Sequence, residues 1–443
     1  MNALEKFNWY RREYGFRAAL LRSIGKSLGR LDMLQSPSEQ FAVQAAAAPG
    51  DGAGGAVAAS SIVRARFSGA GALSIFPAPG PRLRLNLVTD SINSGSLFGG
   101  VGTSIILAAL LAKRSNAVLR VVTRTQPPHQ PSVGEVLHCN GIDFAGNVEF
   151  SFIDVANPDS QLDVCSGDYF LTTSWWTTAS TLGSIAPERI IYLLQEDERM
   201  FYPYGDDWVR CSETMSRQDI AIVLNTRLLR DHLVGNGFPH LATEAHFFEP
   251  AFPIAGPAQS GATREAAPLG RKRLFFYARP NNLRNLFYRG IEALDEAVRT
   301  GVLDPDRWEI VLVGKDVPDL SFDGIRPTIM STLGWADYLE LVRSVDLGFC
   351  LMATPHPSYP PLDLAAAGAL VVTNRFGIKQ DLTTYSPAIM AADLDKASLV
   401  EGLTRAVAML ERGDRPLGKS GLSPSWKQSL AHVVEALADH VLR

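Results

Sequence analysis

LRLNLVTDSINSGSLFGGVG, residues 83–102, is the stretch on which the fold turns. Residues 83–90 are short and rich in branched apolar side chains, the composition of a buried strand. The loop 91–102 carries Gly95, Gly99, Gly100 and Gly102, and the apolar residues of 103–113 have helical spacing. Strand, glycine-rich turn and helix in that order open a βα unit. The unit then repeats. VLRVVTR (118–124), NVEFSFID (147–154), YFLTTS (169–174), IIYLLQ (190–195) and IAIVLN (220–225) read as further strands, with helices or loops between them.

A break follows at 255–271, AGPAQSGATREAAPLGR, rich in Pro, Ala and Gly. The alternation restarts beyond it. LFFYAR (274–279), WEIVLVG (308–314), LGFCLM (347–352) and ALVVTN (369–374) are strands. Helices are predicted at 285–300, 336–344, from 362 to 367, at 397–412 and at 426–442. The fold class is therefore α/β, with two doubly wound, Rossmann-like domains of parallel strands, over 82–260 and 271–425, and a C-terminal helix over 426–443. Upstream, the Ala- and Gly-rich composition after residue 41 predicts a flexible linker over 41–81. Before it, 1–40 is predicted to be a helical extension. In that extension Phe16, Leu20, Ile24, Leu28 and Leu31 share one stripe, and Arg17, Arg22, Lys26 and Arg30 fall elsewhere. Such a segment over 16–34 can lie on an anionic membrane surface, dock on the globular body or pair with another chain.

The 443 residues carry a formal net charge of −4, which argues against a general nucleic-acid binder. Cys139, Cys165, Cys211 and Cys350 are scattered with no C-x-x-C pair, so neither a zinc site nor a disulfide framework is expected. A reducing, cytoplasmic compartment fits. No secretory signal is visible and no apolar run reaches the roughly 18 residues of a spanning helix. No D-x-D and no His/Cys cluster with ligand spacing appears, so no metal is expected.

Ligands of doubly wound sheets bind beyond the carboxyl ends of the strands, and that rule selects the candidate residues. Gly99 and Gly100 precede a helix start, where bare amides and the helix dipole favour an anion; a plain turn is the alternative. Arg279 ends a strand and Arg284 follows at the mouth of a helix, a pair able to clamp a diphosphate or to make surface salt bridges. The proline-rich MATPHPSYPPLDL (352–364) holds His356, Ser358, Tyr359 and Asp363 on a stiff loop. From the other half, LLQEDERMFYPYGDD (193–207) brings Glu196, Asp197 and Glu198 to a strand end, beside aromatics of the kind sugars stack on.

YARPNNLRN, HPSYPPLDLAAAGALVVTN and LLQEDERMFYPYGDD resemble the WsaF-type rhamnosyltransferases of glycosyltransferase family 4, over about residues 83–412. The resemblance implies the GT-B fold, with an acceptor-side N-terminal domain and a C-terminal domain that binds a nucleotide sugar. It implies a retaining transferase, with dTDP-L-rhamnose the expected donor and an oligosaccharide or lipid-linked surface glycan the acceptor. No cofactor is implied, and the nucleotide sugar is a co-substrate. By the same resemblance Gly99 and Gly100 meet the donor phosphates. Arg279 and Arg284 hold the pyrophosphate, Asp363 meets the ribose, Gly334 and Trp335 receive the base, and Asp197 and Glu198 lie on the acceptor side. Two departures stand out. Asp363 replaces the second glutamate of the family's E-x7-E motif, and Pro355 stands where the first would be. His356, Ser358 and Tyr359 are the loop's remaining polar residues. Another nucleotide sugar such as GDP-mannose or a UDP-hexose, a sugar-nucleotide epimerase and a non-catalytic glycan-binding subunit are the competing readings.

Overall fold

A computed structural model describes residues 57–93, 99–157, 159–254, 270–331, 333–414 and 420–442. The extension at 1–40, most of the predicted interdomain break and the front of the predicted linker lie outside the described residues. The chain divides into two compact units at Gly71–Ala72. Within the first, α1 (Ala59–Arg66) is a helix with no buried residue. This corrects the linker expected over 41–81. Residues 59–66 contain neither Gly nor Pro, and nothing in them opposes a helix. In the second unit, β1 (Ile75–Pro77) corrects the same linker further along, because it pairs in parallel with Leu162–Val164.

Besides the pairing of β1 with Leu162–Val164, the second unit holds two larger parallel sheets among the described residues. Along the chain come β2 (Arg84–Thr89), α2 (Gly100–Ser115), β3 (Val118–Thr123), α3 (Pro131–Cys139), β4 (Val148–Phe152), β5 (Leu162–Val164), β6 (Asp168–Thr172) and α4 (Trp175–Leu182). Then follow β7 (Ile190–Leu194), α5 (Asp206–Met215), β8 (Ala221–Asn225), α6 (Arg227–Gly235) and β9 (His246–Phe248). The sheet order is β4-β3-β2-β6-β7-β8-β9. The second sheet uses β10 (Lys272–Tyr277), β11 (Trp308–Val313), β12 (Thr328–Met330), β13 (Leu347–Cys350), β14 (Leu370–Asn374) and β15 (Ile389–Ala392), in the order β12-β11-β10-β13-β14-β15. Between them run α7 (Phe287–Arg299), α8 (Trp335–Ser344) and α9 (Tyr359–Ala366), and α10 (Lys396–Arg412) follows β15. Each sheet reverses its strand order once, between β2 and β6 and between β10 and β13. Such switch points open the crevices in which α/β proteins bind ligands.

The chain ends by crossing back. Helices α11 (Trp426–Ser429) and α12 (Ala431–Leu442) belong to the core of the first sheet, where Trp426, Leu430, Val433, Leu437 and Val441 join Ile105, Leu107 and Leu111 of α2. Helix α2 is apolar on nearly every face because α12 covers the side that the sheet does not. Burying each such side chain contributes about 1.5–3 kcal/mol. Among the described residues no helix is long and apolar enough to cross a membrane.

At the opposite end of the first sheet, Arg84 begins β2 and Asp168 begins β6. Arg84 Nε donates to Asp168 Oδ1 at 2.6 Å and Nη2 to Oδ2 at 2.9 Å, and Nη2 also reaches Asp163 at 3.0 Å. Arg120 adds a bond to Asp163 at 2.7 Å. Removing one member of a buried ion pair strands the other without solvent, at about 3–5 kcal/mol. Asp168→Ala should therefore lower unfolding stability by that amount in urea titration. Ligand affinity of the folded fraction should not change, since the pair lies at the amino ends of the strands and the switch-point crevice at their carboxyl ends.

Candidate functional site

The two switch points open onto one cleft of about 710 Å3, lined from both halves. On the first half's wall stands the start of α2. Gly99 has φ +71°, and a Cβ there would come within 3.4 Å of the Tyr359 ring. Gly100 begins the helix, and its carbonyl accepts from Gln195 Nε2 at 2.8 Å. The amides of this helix start carry the positive end of the α2 dipole to the cleft.

On the other wall, Arg279 follows β10 and its Nη1 donates to Tyr277 Oη at 3.3 Å. Glycine is required opposite it: a Cβ on Gly314, at the end of β11, would fall 1.6 Å from the Ala278 carbonyl oxygen. Lys315 comes next and also lines the cleft. Arg284 is set by the turn in which Asn282 Oδ1 accepts the Arg284 amide at 3.3 Å. Its guanidinium lies 4.2 Å from the Phe201 ring centroid and its Nη1 donates to Glu196 Oε2 at 2.9 Å. Glu196 comes from the first half. Its other oxygen is hydrogen-bonded to Thr354 Oγ1 of the second. Burial pushes the Glu196 carboxyl above its usual range, against the pull of Arg284 and Thr354. Beside it Lys379 is fully buried, donates to the Met352 carbonyl at 3.1 Å, and is pushed down to about 8 by burial.

Loop 352–363 crosses the seam. Asn225 Nδ2 donates to Tyr359 Oη at 2.7 Å, and Tyr359 Oη bonds Thr103 Oγ1 at 2.5 Å. Thr103 Oγ1 in turn donates to the Gly99 carbonyl at 3.0 Å. Tyr359 is thus a strut between the halves as well as a cleft residue. Ser358 holds φ +70° as the N-cap of α9 and lines the cleft with His356. Asp363 Oδ2 accepts from Tyr338 Oη at 2.8 Å, and burial pushes its carboxyl up to about 7. His356 and Asn285 both line the cleft and keep buried side-chain polar atoms without a partner among the described residues. Trp335 lines it at the start of α8, where its amide donates to Glu135 Oε1 of the first half at 3.1 Å; Gly334, the N-cap, stands behind the lining.

Asp197 and Glu198 are corrected. Neither lines the cleft. The 3-10 turn Glu198–Phe201, capped by Asp197, follows the end of β7 after residues 195–197, and both side chains are buried. Asp197 accepts from Arg199 at 2.7 and 2.8 Å and bonds His232 at 3.0 Å. Glu198 accepts the Trp175 amide at 2.6 Å. Glu196, one residue earlier, lines the cleft. Lys315 and Gly314 were also missed. Their signal was present, since a Gly-Lys pair directly after a buried strand is another strand-end site. Among the described residues no group of three or more His, Cys, Asp or Glu side chains could hold a metal ion.

Residues 84–227 match the family described as WsaF, N-terminal domain, and residues 272–404 match WsaF, C-terminal domain. The chain is 28% identical over 353 residues to the O-antigen biosynthesis protein RfbC of Myxococcus xanthus, covering 77% of this chain and 26% of that protein. It thus spans about a quarter of the length of the curated relative it matches. Among solved structures, HepE of Anabaena in complex with UDP-glucose aligns over 81% of this chain and 98% of its own, with a TM-score of 0.51 and 12% identity. The same protein with UDP and glucose gives a TM-score of 0.50 at 12% identity. At that identity the likeness is one of fold, and the fold is GT-B, two Rossmann-like halves facing a cleft. The strut between the halves is open to test. Tyr359→Phe leaves Asn225 and Thr103 without their buried partner and should lower stability by about 1–3 kcal/mol, read by urea unfolding, with faster amide exchange at the start of α2.

Proposed function

The chain belongs to the WsaF family, and from that premise we propose that it is a glycosyltransferase of surface-polysaccharide assembly, moving L-rhamnose from dTDP-L-rhamnose to an oligosaccharide or lipid-linked glycan with retention. The observation that carries this reading is the shared cleft. Arg279, Arg284 and Lys315 line it from one half and the amides at Gly99 and Gly100 from the other. A diphosphate is the ligand chemistry that satisfies both sets at once, since each offers N–H donors and positive potential.

In the reaction the bond between the sugar's anomeric carbon and the diphosphate oxygen breaks. A bond from that carbon to an acceptor hydroxyl oxygen forms on the same face, and the hydroxyl proton passes to the departing diphosphate. Negative charge grows on the leaving oxygen, and the protein's work is to stabilise it. Arg279 and Lys315 supply charge. Arg284, anchored on Glu196 and stacked on Phe201, supplies a guanidinium already held in place. Preorganised charge of this kind needs no reorganisation during the step. Closure of the halves excludes water and limits donor hydrolysis. Asp363 accepts from a ribose hydroxyl, and Gly334 and Trp335 receive the base. Four unpaired cysteines suit a cytoplasmic enzyme, and an association of residues 16–34 with the inner membrane face would bring a lipid-linked acceptor within reach.

Isothermal titration with dTDP, dTDP-L-rhamnose, GDP-mannose and UDP-glucose, followed by transfer assays, tests the reading. Wild type should prefer dTDP-L-rhamnose. Arg279→Ala should weaken dTDP binding about 10- to 100-fold, the equivalent of a lost charge-assisted bond of about 1.5–3 kcal/mol. Unchanged dTDP affinity in that variant would remove the diphosphate site, and a preference for GDP or UDP sugars would remove rhamnose. The pH profile gives a second check. Because burial raises Asp363 to about 7, it is an anionic acceptor only above that pH. Donor affinity should rise as pH increases through about 7, and Asp363→Asn should flatten the rise.

A further inference from the structure

His356 sits at the base of the cleft with 4% of its surface exposed. Its Nδ1 accepts the Ser358 amide at 2.9 Å. A neutral imidazole carries one N–H, so with Nδ1 as acceptor the hydrogen is on Nε2. That Nε2 is buried and has no partner among the described residues. The ring is held in place by more than one contact. Its backbone amide donates to Thr354 Oγ1 at 3.2 Å, and the Tyr359 ring packs with its centroid 5.7 Å away.

A buried donor left unpaired costs about 1–3 kcal/mol. Such an atom on the wall of a ligand cleft is explained if the ligand supplies the acceptor. The surroundings narrow the choice. Burial, with Lys379 and Arg284 adding to it, pushes the imidazole down to about 3. His356 therefore offers a single directed N–H and no charge. Phosphate oxygens have Arg279, Arg284 and Lys315 available, and a neutral donor adds little there. An uncharged oxygen is the better match.

We propose that His356 Nε2–H donates a hydrogen bond to a hydroxyl oxygen of the transferred sugar and is thereby a specificity-determining residue for the donor. The proposal rests on the sugar-nucleotide transferase reading. It also gives a task to the loop in which proline stands at position 355. A site built to hydrogen-bond one hydroxyl rejects analogues lacking it, because its own polar group is then left unpaired.

Two substitutions separate recognition from bracing. Asn at 356 places an amide oxygen where Nδ1 was and keeps the Ser358 bond, but has nothing at Nε2. Gln places an N–H near Nε2 and loses the Ser358 bond. Binding of dTDP, and of whichever of dTDP-L-rhamnose, GDP-mannose or UDP-glucose the wild type prefers, is measured by titration calorimetry, with urea unfolding to confirm folding. His356→Asn should bind dTDP within about twofold of wild type and the nucleotide sugar about tenfold more weakly, or about 1.4 kcal/mol. His356→Gln should recover most of that loss. The reverse order, with Asn tolerated and Gln impaired, makes His356 a loop brace and overturns the proposal. Equal losses for dTDP and nucleotide sugar assign Nε2 to the phosphates and also overturn it. A wild type that binds nucleotide sugars, with both variants unchanged, sinks this inference alone. A wild type that binds none sinks the transferase reading itself.

Discussion

A relay of hydrogen bonds from Asn225 through Tyr359 and Thr103 to the Gly99 carbonyl fixes the second half's loop on the first half's helix start. The cleft depends on it. The helix start could serve the proposed diphosphate only if its amides stay at a set distance from the guanidiniums opposite, and Tyr359 ties the two walls from within. Gly99 lacks a side chain where the Tyr359 ring lies, so the two walls approach through the one residue type that permits it. Two further ties run across the seam at this edge, Glu196 with Arg284 and Thr354, and Glu135 with the Trp335 amide. All three bind residues that line the cleft or stand beside it, so the halves are tied at their ligand-facing edge.

The charges of the cleft base are of both signs and poorly solvated. Glu196 is 8% exposed and Lys379 fully buried. In low dielectric each governs its neighbours strongly. Glu196 holds Arg284 and stands close to Lys379, while burial, aided by the two cations, keeps His356 uncharged. The anionic ligand proposed above would meet positive groups that are already placed, with Glu196 compensating part of their charge.

Much of this was legible from the residues, for a physical reason. Strands buried on both faces read as continuous apolar runs, so β2, β7, β10 and β11 stood out. The strand-end rule then led to Gly99, Arg279, Arg284 and the 356–363 loop. What escaped was short or relational. Strands β1, β5, β9 and β12 have three residues each, too few for a period to show. Of Glu196, Asp197 and Glu198, composition cannot say which faces the ligand. The 3-10 turn decides it, and a shift of one residue sends a side chain inward. The target of α12 was hidden as well, since an amphipathic helix declares an apolar face without declaring what covers it. Tyr359 looked like a ligand contact because its role as a strut needs Asn225 and Thr103, both distant in sequence.

The return of the chain through Trp426 to Leu442 means that the first half is not a contiguous piece of the polypeptide. The first sheet is synthesised before the second half, yet the helix that closes its core is made only after it. Until then Ile105, Leu107 and their neighbours have no cover on that side. A gene cut at the interdomain break would yield an incomplete first module and a second one carrying a stray apolar helix. The two halves can therefore be exchanged between relatives only if residues 426–442 travel with the first.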